Sequence, residues 1–99
     1  MKLIVLRQAN DSFSRSLRHL GGFYSKTYLN ALRRKVKAEL AWLKDNPGGG
    51  QFEDQLAHLG HGHRRLVIAP FKIVYRVEQG TVVVTDIFDA RRDPKEMKG

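Results

Sequence analysis

The chain has no cysteine, three prolines, a single tryptophan and no apolar run approaching the roughly 18 residues that span a bilayer. Without cysteine, a disulfide framework, a thiolate zinc site and cysteine catalysis are all excluded. The apolar start Met1–Leu6 is too short for the apolar region of a secretory signal, so a soluble cytoplasmic protein without membrane contact is expected. Gly48-Gly49-Gly50 is not a phosphate loop, because no Lys-Ser/Thr follows it and it lies between a helix end and coil. Acidic residues are scarce too. Ten Asp and Glu stand against eighteen Lys and Arg, a formal net charge of +8 over 99 residues.

What is present suffices for one modest core and one domain, residues 1–99, with 41% of the chain hydrophobic. The charge is unevenly spread: residues 1–50 hold ten basic and three acidic side chains, residues 51–99 eight and seven. A basic half points to a polyanionic partner, either nucleic acid or an acidic protein segment. The plainer reading is a solubilising surface.

Met1–Leu6 reads as a strand, and Asn10, Asp11 and Ser12 as candidate N-caps of a first helix. Phe13, Leu17 and Leu20 share one face of that helix, which Gly21-Gly22 ends. A second helix is expected from about Ser25 to Asp45, with Tyr28, Leu32, Val36, Leu40 and Leu43 as its apolar stripe and Asn46-Pro47 as its stop. The connection over 46–63 is looser, anchored through Phe52, Leu56 and Leu59. Beyond it the period changes to two. Leu66–Ile68 is a strand, Ala69-Pro70 a turn, and Phe71–Glu78 pairs with Thr81–Phe88 around Gln79-Gly80.

With Glu78 opposite Thr81, Phe71, Ile73, Tyr75 and Val77 share a core face with Val82, Val84 and Phe88. Lys72, Val74, Arg76 and Glu78 share the other face with Thr81, Val83, Thr85 and Ile87, which looks onto a groove or solvent. Asp86 falls on the core face unless a bulge moves it out. The order β-α-α-β-β-β, a helical hairpin packed on a small, mainly antiparallel sheet, is α+β.

The stretch His63–Met97, HRRLVIAPFKIVYRVEQGTVVVTDIFDARRDPKEM, resembles the RelE/ParE superfamily of toxins from type II toxin–antitoxin systems. The resemblance rests on a basic-apolar strand (RRLVI), a turn, the FKIVYRV strand, a short hairpin, and an apolar strand ending in IFDARRD. Upstream, FSRSLRHL and the helix end ELAWLKDNP are similar to the family's helical hairpin. It implies a plasmid-stabilisation or addiction toxin that inhibits growth and is neutralised by a cognate antitoxin. RelE-like members cut mRNA in the ribosome without a metal; ParE-like members poison DNA gyrase. By resemblance, Lys72 sits where RelE-like toxins carry an Arg, Arg91 at the family's Arg after the last strand, and Arg65 and His63 on its basic second strand. The chain departs from RelE-like members in one respect. Arg92–Gly99 contains no Tyr or His, which moves weight toward a ParE-like target.

RNA cleavage by 2′-OH attack needs a base, positive charge at the phosphorane and an acid at the leaving oxygen. The catalytic candidates are Arg65, Lys72, Arg91 and His63, since His can exchange a proton and Arg stays charged. Arg33, Arg34, Lys37, Arg64, Arg76 and Arg92 are candidates for nucleic-acid or target binding, weighed against a solvated helix face and a surface ion-pair cluster. Arg91 and Arg92 beside Lys72 and Arg76 would make a convergent cationic site. His58, His61 and His63 form H-x-x-H-x-H, whose sharp reading is a metal site; loop histidines and no metal are expected, and no cofactor is implied. A basic, non-enzymatic nucleic-acid-binding module and a degenerate member that only sequesters antitoxin are the other readings.

Overall fold

The computed structural model describes all residues, Met1–Gly99. In chain order the elements are β1 (Lys2–Val5), α1 (Arg7–Leu20), α2 (Lys26–Asp45), β2 (Gln51–Phe52), β3 (Arg64–Ile68), β4 (Phe71–Glu78) and β5 (Thr81–Asp89). Five strands form one sheet in the order β1-β5-β4-β3-β2, antiparallel except for the parallel β1–β5 pair. The α+β hairpin-on-sheet architecture is the expected one, with β2 added. No helix is long and apolar enough to cross a membrane.

α1 starts earlier than the expected caps. The Leu6 N–H donates to the Val84 carbonyl, and the Leu6 carbonyl accepts from Ala9 and Asn10. Backbone therefore passes from sheet ladder to helix without a turn, and Asn10, Asp11 and Ser12 lie inside the helix. Ala9, Ser12 and Ser16, all buried, are small enough to let the helix lie close against the sheet. Leu17 and Leu20 complete that face, and Phe13 packs edge-on against Phe71 with ring centroids 5.1 Å apart.

α2 begins where expected, with the Ser25 hydroxyl accepting from the Tyr28 N–H at 3.2 Å. Its buried stripe differs from the expected one at its first position, and Leu40 is only partly buried. Leu29 joins Leu32, Val36 and Leu43, while Tyr28 is 39% exposed and stacks on Tyr24. The physical reason is plain: Leu29 continues the same helical spacing without a hydroxyl to desolvate. Trp42, half exposed, lies against Gly49. Gly50 is required by close approach, since a Cβ there would sit 2.6 Å from the Arg65 carbonyl and 2.7 Å from the Tyr75 hydroxyl. Its N–H donates to that hydroxyl at 2.8 Å, deep in the core, and burial pushes the Tyr75 phenol up from its ordinary pKa.

The β4–β5 hairpin turns through Gln79 (φ 46°) and Gly80 (φ 76°), the two left-handed positions of a type I′ turn. From Glu78↔Thr81 to Tyr75↔Val84 the register is the expected one. Then Val74 pairs with Asp86, leaving Thr85 as an extra residue. This bulge shifts the pleat of β5, corrects the placement of Ile87 and Phe88, and decides the alternative left open for Asp86. Ile87, not Phe88, joins Phe71, Ile73, Tyr75, Val82 and Val84 against the helices. Phe88 turns to the opposite face, and Asp86 leaves the core face with it.

Part of that second face is closed off, while Val67, Arg65, Lys72 and Arg76 keep the rest of it open to solvent. A 3-10 turn over Asp54–Leu59 and the C-terminal segment cover the closed part, and Leu56, Val74, Phe88 and Met97 form a smaller core beneath. The Asp86 carboxylate accepts from the Lys98 N–H, and the Thr85 hydroxyl donates to the Lys98 carbonyl, both at 2.9 Å. Of the three expected anchors in this region only Leu56 is buried; Phe52 is 60% exposed and Leu59 41%.

Candidate functional site

Alternation along β3 and its register with β4 place His63, Arg65, Lys72 and Arg76 on the second face of the sheet. Glu53, buried just before the 3-10 turn, reaches two of these cations. Its carboxylate lies 3.5 Å from Lys72 Nζ and 3.9 Å from Arg65 Nη1, and it accepts from the Gln55 N–H at 3.1 Å. Arg65 also donates to the Phe52 carbonyl and to Gln51 Oε1, and Arg76 pairs with Glu78. Each of the three cations thus already has a carboxylate within the chain. Glu53 had no signal in the sequence: it is one acid in an irregular loop, with no spacing that ties it to Lys72.

His63 is 2% exposed, and neither ring nitrogen has a hydrogen-bond partner. Burial lowers its pKa from the ordinary value, and the charges of Arg76 and His61 lower it further. His58 and His61 are exposed, as expected of loop histidines, and His63 is not. No three His, Asp or Glu side chains converge to hold a metal ion.

The folded state holds His63 neutral, whereas the unfolded chain takes up a proton near pH 6.5. His63 therefore contributes stability that is present above about pH 6.5 and lost as pH falls through the lower, folded value. Urea unfolding at about pH 7.5 and about pH 5.5 is expected to show lower stability at the acid value, with a smaller difference in His63→Gln. An unchanged difference in the variant would assign it to other groups.

Arg91 is placed differently. Asp89, at the end of β5 opposite Phe71, accepts from Arg91 Nε at 2.9 Å, Nη2 at 2.7 Å and the backbone N–H at 3.0 Å. These hydrogen bonds hold the Asp89 carboxyl below its ordinary pKa against the opposing effect of burial, and they raise that of Arg91. Arg91 lies with Arg15, Ser16, His19, Asp89 and Arg92 around a cavity of about 490 Å³. Arg92 pairs with Glu96 at 3.0 Å, its guanidinium 5.8 Å from the centre of the Phe88 ring. The expected convergence of Arg91 with Lys72 and Arg76 does not form, because Asp89 draws the guanidinium toward α1. Arg15 and His19 were missed by sequence reasoning, because nothing in the spacing of α1 shows that the end of β5 comes up beside them.

On α2, Arg33, Arg34 and Lys37 are exposed, and Arg33 donates to Asn30 Oδ1 at 2.8 Å. Arg64 has a structural task. It donates to the carbonyls of Gly50 at 2.6 Å and Gly48 at 3.3 Å, lies 4.0 Å over the Phe52 ring, and so ties the loop after α2 to β3.

A family model described as the ParE toxin of type II toxin–antitoxin system, parDE, matches residues 8–94. The chain belongs to the ParE toxin family. The match runs from α1 into the segment after β5 and so takes in both the second face and the Arg91 pocket. Among solved structures, the chain is similar to one described as the chromosomal ParDE TA system from P. aeruginosa. The TM-score is 0.74 at 18% identity, over 90% of this chain and 95% of that one. At that identity the likeness shows the ParE fold. No curated protein sequence matches the chain significantly. As a ParE family member, the chain is a toxin of the type II class.

Proposed function

We propose that this toxin stops growth by acting on DNA gyrase and is neutralised by a cognate antitoxin, an acidic or amphipathic segment ordered across the helical hairpin and sheet. One observation carries the choice of gyrase over mRNA cleavage: the candidate cleavage set is divided. Arg91 is held by Asp89 on the α1 side, while Arg65 and Lys72 share Glu53 on the other face. The imidazole on the sheet face, His63, is buried, Arg92–Gly99 contains no Tyr or His, and the exposed His19 stands on the Arg91 side, apart from Arg65 and Lys72. In this reading the cations recognise a target surface rather than drive a reaction, with Arg33, Arg34 and Lys37 on α2 as a second contact area.

A ribonuclease reading has one observation in its favour, the presence of His63, Arg65, Lys72 and Arg76 on a single sheet face. Two assays separate the readings. The purified protein is expected to block gyrase supercoiling in a concentration-dependent way, and to leave mRNA intact in primer extension from a reconstituted translation reaction. Cuts within ribosome-occupied codons, with supercoiling untouched, would reverse the assignment. Steeply salt-dependent nucleic-acid binding, with neither growth inhibition nor either activity, would instead favour a basic binding module.

A further inference from the structure

Arg15 and His19 stand one helical turn apart on α1, and the end of the sheet brings Arg91 and Arg92 up to them. Every residue lining the resulting cavity is polar. Asp89 occupies Nε and Nη2 of Arg91, fixing the guanidinium plane and leaving Nη1 without a partner. Arg15 takes part in none of the chain's ion pairs, and Arg92 is matched by Glu96. The cavity therefore holds three guanidiniums and an imidazole around one carboxylate that is itself fully engaged.

Such a pocket attracts an oxyanion, and its donors converge from two directions, from the helix and from the sheet end. A tetrahedral anion, with oxygens pointing several ways, suits that arrangement better than a planar carboxylate, which is best met by a single fork of donors. The cavity is larger than the anion alone requires. The room beyond the anion lets the phosphate carry a further group into the pocket mouth.

We propose that the pocket between α1 and the end of β5 binds a phosphate group carried by a nucleotide or a nucleic-acid strand. Arg15, His19 and Arg91 are its donors. The site does not depend on the choice of gyrase: a protein without effect on supercoiling would still bind phosphate here.

The test is titration of ¹⁵N-labelled protein with inorganic phosphate, with a mononucleotide and with a short single-stranded oligonucleotide, following backbone amide signals. Saturable shifts are expected at Arg15, Ser16, His19 and Ala90–Arg92. Equal affinity for mononucleotide and oligonucleotide would identify a nucleotide as the source; tighter oligonucleotide binding would identify a strand. Arg15→Gln, whose side chain supports nothing else in the fold, is expected to weaken binding about tenfold or more, as loss of a charged donor should. Lys35→Gln, which removes the same charge from the exposed surface of α2, is expected to change it by less than about twofold. Arg91→Gln serves as a second variant, its spectrum reporting whether the fold is kept.

Three results would overturn the proposal. One is equal weakening by Arg15→Gln and Lys35→Gln, which would mean diffuse attraction. Another is the absence of pocket shifts with all three probes. The third is tighter binding of a Glu-rich peptide at the same amides, which would make the pocket a protein contact.

Discussion

Replacing Phe71 with alanine is expected to lower stability by about 3–5 kcal/mol, a large share of the roughly 5–15 kcal/mol available to a domain. Phe71 is fully buried, meets Phe13 of α1 edge-on at 5.1 Å and pairs across the sheet with Asp89. Its ring is thus the packing link between the first helix and the strand end that carries Arg91. The deletion removes apolar contact and leaves a cavity, and Phe13 is too constrained by α1 to fill it. Urea unfolding should show a lower midpoint with an unchanged slope. Phe71→Leu, which keeps most of the volume, should lose markedly less. A loss below about 1 kcal/mol in Phe71→Ala would mean that the site collapses around the gap, and that α1 is not held to β4 by this contact.

Much of this fold was legible because its local signals agree. Two apolar stripes at helical spacing, a Gly-Gly break, a period-two region and Gln79-Gly80 specify a helical hairpin followed by a meander. The misreadings share a cause. Thr85 is an ordinary β-former, and nothing in its type announces an extra residue, yet one residue reverses which of Ile87 and Phe88 faces the helices. Likewise, Leu6 and Arg7 carry no capping signal: no side chain caps the helix, whose start is set by Leu6, its N–H on the Val84 carbonyl and its own carbonyl taking the first helical bonds. Tyr28 and Leu29 fit the apolar pattern equally well, and only the cost of burying a phenol separates them.

The candidate site was legible by residue type and not by grouping. Arg65, Lys72 and Arg76 share a face because of strand alternation, a period visible in sequence. The partition of Arg91 from that set depends on Asp89. In the sequence, Asp89 looks like one more charge in a DARRD run; in the fold, it is a buried carboxylate that takes both a side chain and a backbone N–H of the same arginine. Glu53 is the parallel case on the other face, a loop acid whose partners are set entirely by tertiary structure.

Arg91→Gln is expected to cost about 1–2 kcal/mol at neutral pH, toward the low end for charged hydrogen bonds because the Arg91 side chain is 53% exposed and screened by water. The sign of its pH dependence follows from Asp89. The folded pKa lies below the ordinary 3.8, so the pair contributes stability that is present above about pH 4 and lost as pH falls through the folded value. A double-mutant cycle of Arg91→Gln with Asp89→Asn should therefore give a coupling of about 1–2 kcal/mol near pH 7, shrinking as pH falls through the folded pKa, below which both states carry a protonated Asp89. A coupling that stays constant over that range would mean that shape, not charge, holds Arg91 in place. The same cycle bears on any loss of toxicity in an Arg91 variant. Without the guanidinium, Asp89 remains a buried carboxylate held only by the backbone N–H of residue 91, so such a variant removes a cation and also loosens the segment that presents Arg92. Asp89→Asn, which keeps both arginines but loosens Arg91, separates the two effects. If orientation matters to the target, this variant loses growth inhibition with its positive charges intact.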